Sequence, residues 1–462
     1  MNALRRGFWI ALCTASASPA FAATYTVGGG GQYPDLNSLF AAVDLGPGDV
    51  VEVMGGAIYP GNVVVPEADG GAAGNPVILR GVGPTRPHLR GGTNTIEFRL
   101  SDHMVMERFE ISGTVADNTF RCVYHHAHDI VLRDLLIHDC PRHGVLGADQ
   151  DSGSLTIEYS EIYNAGSGGG NHLIYMATDE VAHPGAVFRL QYSYLHDSDF
   201  TDGTDEGGNL IKSRAERNEI YYNWLEGAYY HELELIGPDP NGAANGWSEN
   251  LAREDSDVVG NVILHSSVDF PSVMRFGGDA TGQSYGRYRF VNNTVIHTNT
   301  PDATTPSLFR LFDGITAVEM HNNVFHRVGP AAMRVFRRDI VSGGVVGDPI
   351  VGGSNNWIDT GSTSIPANWT GTLQGSDPML VNIAGFDLRP AAGSPLLDQS
   401  NPAPSAGPDY AITQPLFPPT RHPARALLAV GTAPLRPVAG ALDLGAFERE
   451  DDNRIFASGF EG

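Results

Sequence analysis

The chain has 462 residues, of which 53 are Asp or Glu and 29 are Lys or Arg, so its formal net charge is −24 at pH 7. This balance excludes nucleic acid as an expected partner, because phosphate binding needs a basic surface. It also disfavours an anionic polymer as a ligand, unless local arginines or a divalent cation make the electrostatic potential at the binding site positive.

The first 22 residues predict a secretory signal peptide. Arg5 and Arg6 give a basic start, residues 7–15 are mostly apolar, and the sequence AFA at residues 20–22 is a small-x-small cleavage site. No later segment offers about 18 uninterrupted apolar residues, so we expect no membrane span. The protein is therefore expected to be secreted or periplasmic.

Residues 23–450 are predicted to form a single domain, followed by a short tail at residues 451–462. Neither a linker nor a break in composition appears before about residue 395. At the start, residues 24–53 predict a strand, a helix and a strand. Asp35 is expected to cap a helix from Leu36 to about Val43, which would cover the open edge of the structure that follows.

A short pattern recurs through the middle of the chain: an apolar residue, two of any kind, a small polar residue and then alternating apolar residues. Strand repeats at intervals of 20 to 50 residues are typical of a solenoid or a propeller. About three short strands per repeat favour an all-β parallel β-helix. We expect the polar position to tolerate a left-handed turn and to form a hydrogen-bonded ladder between coils. Its members are Asp134, Ser160, Ser193, Asn223, Asn261, Asn293 and Asn323.

Two cysteines lie within the predicted domain. Cys122 and Cys140 are 18 positions apart, and Cys13 belongs to the predicted signal peptide. In an exported protein such a pair can form a disulfide. The sequence leaves open both this disulfide and a pair of buried free thiols.

A second column follows from the strand that precedes each polar position. One apolar residue of each strand is expected to face inward, and the next residue must then face outward. The expected outward residues are Tyr124, Leu146, Tyr175, Lys212, Glu234, Arg275, Arg310 and Arg334. Lys212 is the only lysine of the chain. Arg214 and Glu232 lie two residues from Lys212 and Glu234, so they are expected on the same face.

The chain resembles the right-handed parallel β-helix proteins of the pectate-lyase type. The resemblance covers about residues 24–448 and rests on PGDVVEVMGGAIYPGNVVV, on the Asn-bearing repeats and on the closing run from SDPMLVNIAGFDLRP to DLGAFE. It implies a right-handed β-helix. The stretch NLIKSRAERNEIYYN (209–223) is also similar to the lysine-bearing coil of the alginate and chondroitin-B type lyases.

This second resemblance implies a polysaccharide lyase that cleaves a uronic-acid-containing glycan by β-elimination. Lys212 would be the base, Arg275 or Tyr175 the acid, and Arg214 or Arg275 would help the lysine to lose its proton. Those lyases carry an arginine on the coil after the lysine. This chain has Glu234 there, and Arg275 follows two coils after Lys212.

Further residues are expected to bind substrate. His172, Glu232 and Arg310 come from the strands, and Trp247 and Arg253 from the long loop at residues 237–255. An aromatic ring in such a loop can stack on a sugar or simply pack against the solenoid.

The loop before Lys212 is acidic. Asp202, Asp205 and Glu206 are candidate ligands for Ca²⁺, with Glu234 as a further carboxylate, because calcium prefers oxygen ligands. A solvated acidic loop explains the same residues. No other cofactor is expected.

Three other interpretations of the outward column remain open. It can be a ladder of surface ion pairs, worth about 0–1 kcal/mol each. A glycoside hydrolase would use two carboxylates, for which Glu232 and Glu234 are the candidates. A non-catalytic carbohydrate-binding β-helix would need no titrating group. The expected partner is an acidic polysaccharide, and the protein is expected to be a monomer.

Overall fold

The computed structural model describes most of the chain. The described residues are 22–167, 170–200, 207–237, 254–267, 270, 272–277, 284–298, 306–312, 314–329, 332–339, 350–404, 417–437 and 440–449. Within them, three long parallel sheets wind around a common core.

The first coils contain the strands β1 (Thr24–Val27), β2 (Val50–Met54), β3 (Ile58–Pro60), β4 (Val63–Val65), β5 (Val77–Val82), β6 (His88–Arg90), β7 (Asn94–Arg99), β8 (Met104–Glu107), β9 (Glu110–Ser112), β10 (Arg121–His126), β11 (Ile130–Arg133) and β12 (Leu136–Cys140). The middle coils contain β13 (His143–Gly147), β14 (Leu155–Glu158), β15 (Glu161–Ala165), β16 (Ile174–Ala177), β17 (Val187–Gln191), β18 (Tyr194–His196), β19 (Ile211–Arg214), β20 (Arg217–Tyr221), β21 (Trp224–Glu226), β22 (Leu233–Ile236), β23 (Asp255–Val259) and β24 (Val262–His265). The last coils contain β25 (Ser272–Gly277), β26 (Arg287–Val291), β27 (Thr294–His297), β28 (Ser307–Phe312), β29 (Ala317–His321), β30 (Val324–Arg327), β31 (Arg334–Asp339), β32 (Ile350–Ser354), β33 (Trp357–Asp359), β34 (Leu373–Gly375), β35 (Leu380–Asn382) and β36 (Asp387–Pro390).

Each coil contributes one strand to each sheet, which is the architecture of a parallel β-helix. Sheet A follows the order β1-β2-β5-β8-β11-β14-β17-β20-β23-β26-β29-β32. Sheet B follows β3-β6-β9-β12-β15-β18-β21-β24-β27-β30-β33-β34. Sheet C follows β4-β7-β10-β13-β16-β19-β22-β25-β28-β31. The prediction of an all-β, right-handed parallel β-helix is confirmed.

The core lies inside the three sheets and consists of the inward residues of every strand. In sheet C, the register joins Val123, Val145, Ile174, Ile211, Leu233, Met274 and Phe309 from coil to coil. All of them are fully buried. The predicted inward stack is confirmed, and it fixes which side chains of sheet C face outward.

The predicted polar ladder lies at the turn from sheet A to sheet B. The Oδ1 atom of Asn261 accepts hydrogen bonds from the backbone N–H of Asn223 at 2.8 Å and from its Nδ2 at 3.1 Å. Asn293, Asn323 and Asn356 continue the same pattern. These bonds satisfy buried turn amides that would otherwise lack partners.

Two details of this ladder differ from the prediction. Leu135 takes the position expected for Asp134, because its N–H donates to Ser160 Oγ. The left-handed conformation belongs to the residue before each ladder member, as at Tyr222 with φ 58° and Asn292 with φ 52°. The ladder residue itself therefore contributes its side chain, and its predecessor makes the turn.

A short helix covers the first coil. Helix α1 (Leu36–Phe40) begins where Asp35 Oδ1 accepts a hydrogen bond from Ser38 N at 2.7 Å. Leu36 and Leu39 are buried against the end of the solenoid. The cap is as predicted, and the helix ends earlier than Val43.

At the other end, the chain turns back along sheet B. The antiparallel pair β35–β36 and the short 3₁₀ helix Ile383–Gly385 lie there. Leu388 and Phe447 pack against Trp224 and Val262 on the outer face of sheet B.

A second 3₁₀ helix spans Glu67–Asp69. Among the described residues, no helix has the length and apolar character needed to cross a bilayer.

A disulfide joins Cys122 and Cys140, whose Cα atoms are 5.9 Å apart. It connects β10 of sheet C to β12 of sheet B within one coil, and both side chains are fully buried. The second possibility from the sequence, a pair of free thiols, does not occur in the structure.

Candidate functional site

The candidate site is a column of polar side chains on the outer face of sheet C. The register pairs Tyr175 with Lys212, Lys212 with Glu234, and Glu234 with Arg275. The column continues to Arg310. Because paired residues of adjacent parallel strands lie roughly 4.8 Å apart, these side chains are direct neighbours.

Strand alternation explains why Lys212 faces outward. Its neighbours Ile211 and Ser213 are fully buried, and Ser213 Oγ donates a hydrogen bond to Asn218 Oδ1 at 2.5 Å. The Lys212 side chain, lying between them on the opposite face, keeps 16% of its surface exposed. The only lysine is thus held at the surface by a rigid strand and remains accessible.

Glu234 is the centre of the charged network. Its Oε1 accepts a hydrogen bond from Arg275 Nη1 at 2.5 Å, and its Oε2 lies 4.0 Å from Lys212 Nζ. Asn209 Nδ2 also donates to Oε2. The Glu234 side chain is only 4% exposed, so its charge is balanced by these cations rather than by bulk water.

Tyr175 forms the other side of the site. Lys212 Nζ lies 5.3 Å from the centroid of its ring, within the range of a cation–π contact. Arg214 Nε donates to the Tyr175 hydroxyl at 3.0 Å, and Arg214 Nη1 donates to the carbonyl of Gly237 at 2.6 Å. Arg214 is buried, and its hydrogen bond holds the Tyr175 hydroxyl in place.

Two histidines stand beside Tyr175 at the start of the strands. The ring centroids of His143 and His172 lie 5.9 and 5.5 Å from that of Tyr175. His143 Nδ1 accepts from the backbone N–H of His172 at 3.2 Å, and His172 Nδ1 accepts from the N–H of Asn209 at 3.0 Å. These bonds assign the remaining ring proton to Nε2 in both neutral imidazoles.

The environment keeps His143 neutral. Burial lowers its pKa to about 3, with His172, Arg121, Arg142 and Lys212 acting in the same direction. Above pH 4 it therefore adds no charge to the site. Its ring packs beside Tyr175 and supports the position of the neighbouring histidine.

The histidine arrangement was not predicted as a unit, although the sequence contained its signal. His143, His172, Asn209 and His231 each lie two residues before an inward residue of sheet C, namely Val145, Ile174, Ile211 and Leu233. His231 N donates to Asn209 Oδ1 at 3.0 Å, which extends the same ladder by one coil. Aligning this position across the strands would have revealed it.

Arginines extend the column beyond Arg275. The guanidinium groups of Arg275 and Arg310 lie 4.1 and 5.2 Å from the ring centroid of Phe312. Arg310 Nε also bonds Asp339 Oδ2 at 2.8 Å. Arg337 follows Arg310 in register, whereas Arg334 pairs with Ser307. The prediction of Arg334 as the eighth column residue is therefore wrong, because the last strand is shifted by three residues.

Glu232 does not belong to the outer face. It is fully buried, and its Oε1 and Oε2 lie 3.0 and 2.8 Å from His265 Nδ1. The alternation fails because β22 begins only at Leu233, so the backbone at Glu232 is not yet part of the strand. The prediction that Glu232 shares the outer face with Glu234 is wrong, and the structure does not bring the two carboxylates together on that face.

Several predicted residues lie outside the described part of the chain. These are Trp247 and Arg253, proposed to bind substrate, and Asp202, Asp205 and Glu206, proposed to bind Ca²⁺. Glu234, the remaining candidate for calcium, does not fit that role. Its carboxylate already bonds Arg275 and Asn209 and faces Lys212, so two cations and an amide donor occupy the positions that an ion would need.

Among solved structures, pectate lyase Pel9A is similar over 93% of this chain and 97% of its own, with a TM-score of 0.54 and 12% sequence identity. The chain shares the β-helix fold of Pel9A. Pel9A and this chain therefore have a common architecture, and at this identity the likeness shows the fold alone.

Two further structures have lower TM-scores. An alginate lyase from Paenibacillus sp. str. FPU-7 matches 77% of this chain and 98% of its own, at 16% identity and a TM-score of 0.43. A rhamnogalacturonan lyase matches 81% of this chain and 94% of its own, at 11% identity and a TM-score of 0.46. No protein-family model and no curated protein matches the chain.

Proposed function

We propose that the protein is a polysaccharide lyase that cleaves a uronic-acid-containing glycan by β-elimination. The observation that carries this proposal is the placement of the only lysine. Lys212 lies on the outer face of sheet C between Tyr175 and Glu234 in register, and Arg275 follows on the other side of Glu234. A chain that otherwise uses only arginine and histidine as cations has an amine at this position.

In this proposal Lys212 removes the proton next to the uronate carboxylate. A lysine amine can serve as a base once it has lost its proton, whereas a guanidinium cannot. In its ammonium form Lys212 is directed by the cation–π contact with Tyr175, with Nζ 5.3 Å from the ring centroid, and by the ion pair with Glu234, with Nζ 4.0 Å from Oε2. These contacts place Nζ before the reaction, and the lysine then has to lose its proton to act as the base. A fixed base lowers the entropic part of the barrier.

Tyr175 is the proposed acid, which returns a proton to the leaving glycosidic oxygen. Its hydroxyl accepts a hydrogen bond from Arg214 Nε at 3.0 Å, so negative charge left on the oxygen meets a cation already in place. Arg275 is the alternative acid from the sequence. It bonds Glu234 at 2.5 Å, so we assign it to carboxylate binding instead.

The arginines favour an acidic polysaccharide. Arg275, Arg310 and Arg337 follow one another in register along the outer face of sheet C. These three arginines face two carboxylates, because Arg275 pairs with Glu234 and both Arg310 and Arg337 pair with Asp339, so the cluster keeps one net positive charge on a chain of net charge −24. Such a cluster would attract and neutralise uronate carboxylates, the group whose charge must be offset when the neighbouring proton is removed. His172, beside Tyr175, is a further candidate for contact with the sugar.

A role for Ca²⁺ stays a proposal that depends on Asp202, Asp205 and Glu206, which lie outside the described residues. If these carboxylates hold the ion, its charge would add to that of Arg275 at the substrate carboxylate. Removal of the ion with EDTA and its return as CaCl₂ would test this. Activity that survives EDTA would exclude the ion from the reaction.

The proposed site of action is outside the cytoplasm, as a monomer in the periplasm or the medium. The disulfide between Cys122 and Cys140 supports this, because disulfides persist in oxidising compartments. The residues of the predicted signal peptide up to position 21 lie outside the described part of the chain.

The test of the proposed reaction is a product analysis on alginate, pectate, dermatan and related polyuronates. Elimination creates a carbon–carbon double bond at the new non-reducing end, which absorbs in the ultraviolet. A rise in absorbance with matching new reducing ends supports the lyase. Reducing ends without absorbance would replace it with a hydrolase, and binding without cleavage would replace it with a carbohydrate-binding protein.

A further inference from the structure

A cluster of three metal-ligating side chains lies on the outer face of sheet B, away from the column of sheet C. His88 is on β6, Glu110 on β9 and His138 on β12, which belong to three consecutive coils. His88 and Glu110 are paired in register, and His138 lies two residues beyond Leu136, the partner of Glu110. The winding of the β-helix thus brings together residues that are 22 and 28 positions apart in sequence.

The two distances from the carboxylate to the imidazoles match those between ligand atoms around a tetrahedral ion. Glu110 Oε1 lies 3.4 Å from His88 Nδ1 and 3.2 Å from His138 Nε2. All three ligand atoms lie within 4.8 Å of one another. Ligand atoms at the bond lengths that zinc makes to imidazole nitrogen and carboxylate oxygen lie roughly 3.3–3.5 Å apart in a tetrahedron.

Both imidazole rings are held by hydrogen bonds at their other nitrogen. His138 Nδ1 lies 2.9 Å from Asp139 Oδ2, and His88 Nε2 lies 2.8 Å from Ser112 Oγ. In metal sites the ligating histidine almost always makes such a bond, which fixes the tautomer that directs a lone pair at the ion. The ring of Tyr163 also stacks on His138, with centroids 5.2 Å apart and planes inclined by 8°.

The cluster is sheltered but can be reached from solvent. The side chains of His88 and His138 are 16% and 12% exposed, and that of Glu110 is 30% exposed. Asp139 adds negative charge nearby, whereas Arg90 is the neighbouring cation.

We propose that His88, Glu110 and His138 bind a divalent transition-metal ion of the zinc class. Two imidazoles and one carboxylate are a ligand set that zinc uses, with the fourth position left to water. Bound there, the ion links three successive coils near the N-terminal end of the solenoid. It is a structural clamp, and it does not depend on the proposed lyase reaction.

The chain supplies a matched control on the same sheet. His196 Nε2 lies 3.2 Å from Glu161 Oε1, and His196 Nδ1 lies 2.7 Å from Asp197 Oδ2. This repeats the contacts that His138 makes with Glu110 and Asp139. The difference is that Leu136 pairs with Glu161, so an apolar side chain stands where His88 stands in the cluster. His196 therefore reproduces the ion pair without the third ligand.

The experiment uses the full chain prepared without an affinity tag and dialysed against a chelator. Zn²⁺ is titrated by calorimetry, and Co²⁺ by visible absorbance, because tetrahedral cobalt absorbs far more strongly than octahedral cobalt. Wild type and H196A are expected to bind one tight equivalent and to melt at a higher temperature with Zn²⁺. H88A, E110Q and H138A are expected to bind at least tenfold more weakly and to lose the shift in Tm.

The proposal is overturned if wild type binds no tight equivalent, or if the three ligand variants bind like wild type. It is also overturned if H196A loses binding to the same extent as H138A. Circular dichroism in chelator checks that each variant folds. If H138A does not fold, E110Q and D139N decide the question, because both keep the side-chain shape. D139N removes the carboxylate that orients His138 and is expected to weaken binding about tenfold or more.

Discussion

Replacing one member of the polar ladder should destabilise the protein by a magnitude that its hydrogen bonds allow us to work out. Asn261 is fully buried. Its Oδ1 accepts from Asn223 N at 2.8 Å, and its Nδ2 donates to the carbonyl of Ile220 at 2.9 Å. Asn261→Ala leaves both backbone groups without these bonds. At about 1–3 kcal/mol for each unsatisfied buried group, the expected loss is about 2–6 kcal/mol in the free energy of unfolding.

The assay is denaturant unfolding, combined with hydrogen exchange at the Asn223 amide. Exchange at this amide should accelerate in Asn261→Ala, whereas amides of α1 at the far end should change little. Asn261→Ser should lose less, because Ser160 and Ser193 fill the same position on earlier coils with hydroxyl groups. The matched control is Asn368→Ala, since Asn368 is exposed and bonds only one carbonyl. Equal, small losses for Asn261→Ala and Asn368→Ala would refute the reasoning.

Three further predictions concern the site, the buried histidines and the disulfide. Glu234→Gln removes the charge that pairs with the cations around it, so the rate of elimination should fall at least tenfold. The melting temperature should fall as well, because Arg275 and Lys212 lose a buried partner, so the rates are compared at a temperature at which circular dichroism shows both proteins folded. An unchanged rate would exclude Glu234 from the site. His125 is fully buried, and burial lowers its pKa to about 3. Below about pH 6.5 the unfolded chain therefore binds a proton at His125 that the folded chain does not bind. The free energy of unfolding should fall for this reason as the pH drops towards 3. The slope of the unfolding free energy against pH gives the number of protons taken up on unfolding. Between pH 6 and pH 4, His125→Gln should take up about one proton fewer than wild type, and the same slope in both proteins would contradict this. The Cys122–Cys140 disulfide closes a loop of 18 positions. Substituting Ser at both residues should lower the free energy of unfolding, measured with denaturant, by about 3 kcal/mol. A decrease below about 1 kcal/mol would contradict the chain-entropy argument.

The fold could be predicted from the sequence because its determinants are local. Alternation with period two and the inward stack from Val123 to Phe309 are present in the register of sheet C, and the recurring Asn positions form the ladder at the turn from sheet A to sheet B. Lys212, Glu234 and Arg275 were placed correctly because each lies one residue after a buried apolar residue within a strand.

The errors have a common physical origin at the ends of strands. Glu232 precedes the first residue of β22, so the rule of alternation does not apply to it. Arg334 was misplaced because β31 takes up a register in which Arg334 pairs with Ser307, so that Arg337, three residues later, has the column position. Turn sequences have no regular pattern of apolar residues, so the register of the strand that follows a turn cannot be predicted from the sequence.

Contacts between coils were harder to predict than contacts along a strand. The ladder of His143, His172 and Asn209 needs three aligned strands, and the first position of each strand is the least constrained. The cluster of His88, Glu110 and His138 requires the register of sheet B over three coils. No spacing in the sequence marks such a cluster, because the turns between its members differ in length.

The measurement that tests the central claim most directly is the rate of elimination by Lys212→Arg. The variant keeps the positive charge next to Glu234 but replaces an amine that can lose its proton with a guanidinium that cannot. Arg99→Lys is the control, because Arg99 is exposed on β7, four strands from β19 in sheet C, and pairs with Glu97. We predict that Lys212→Arg folds as wild type and loses at least a thousandfold in rate, and that Arg99→Lys keeps its activity. A Lys212→Arg variant with the wild-type rate would contradict the assignment of Lys212 as the base.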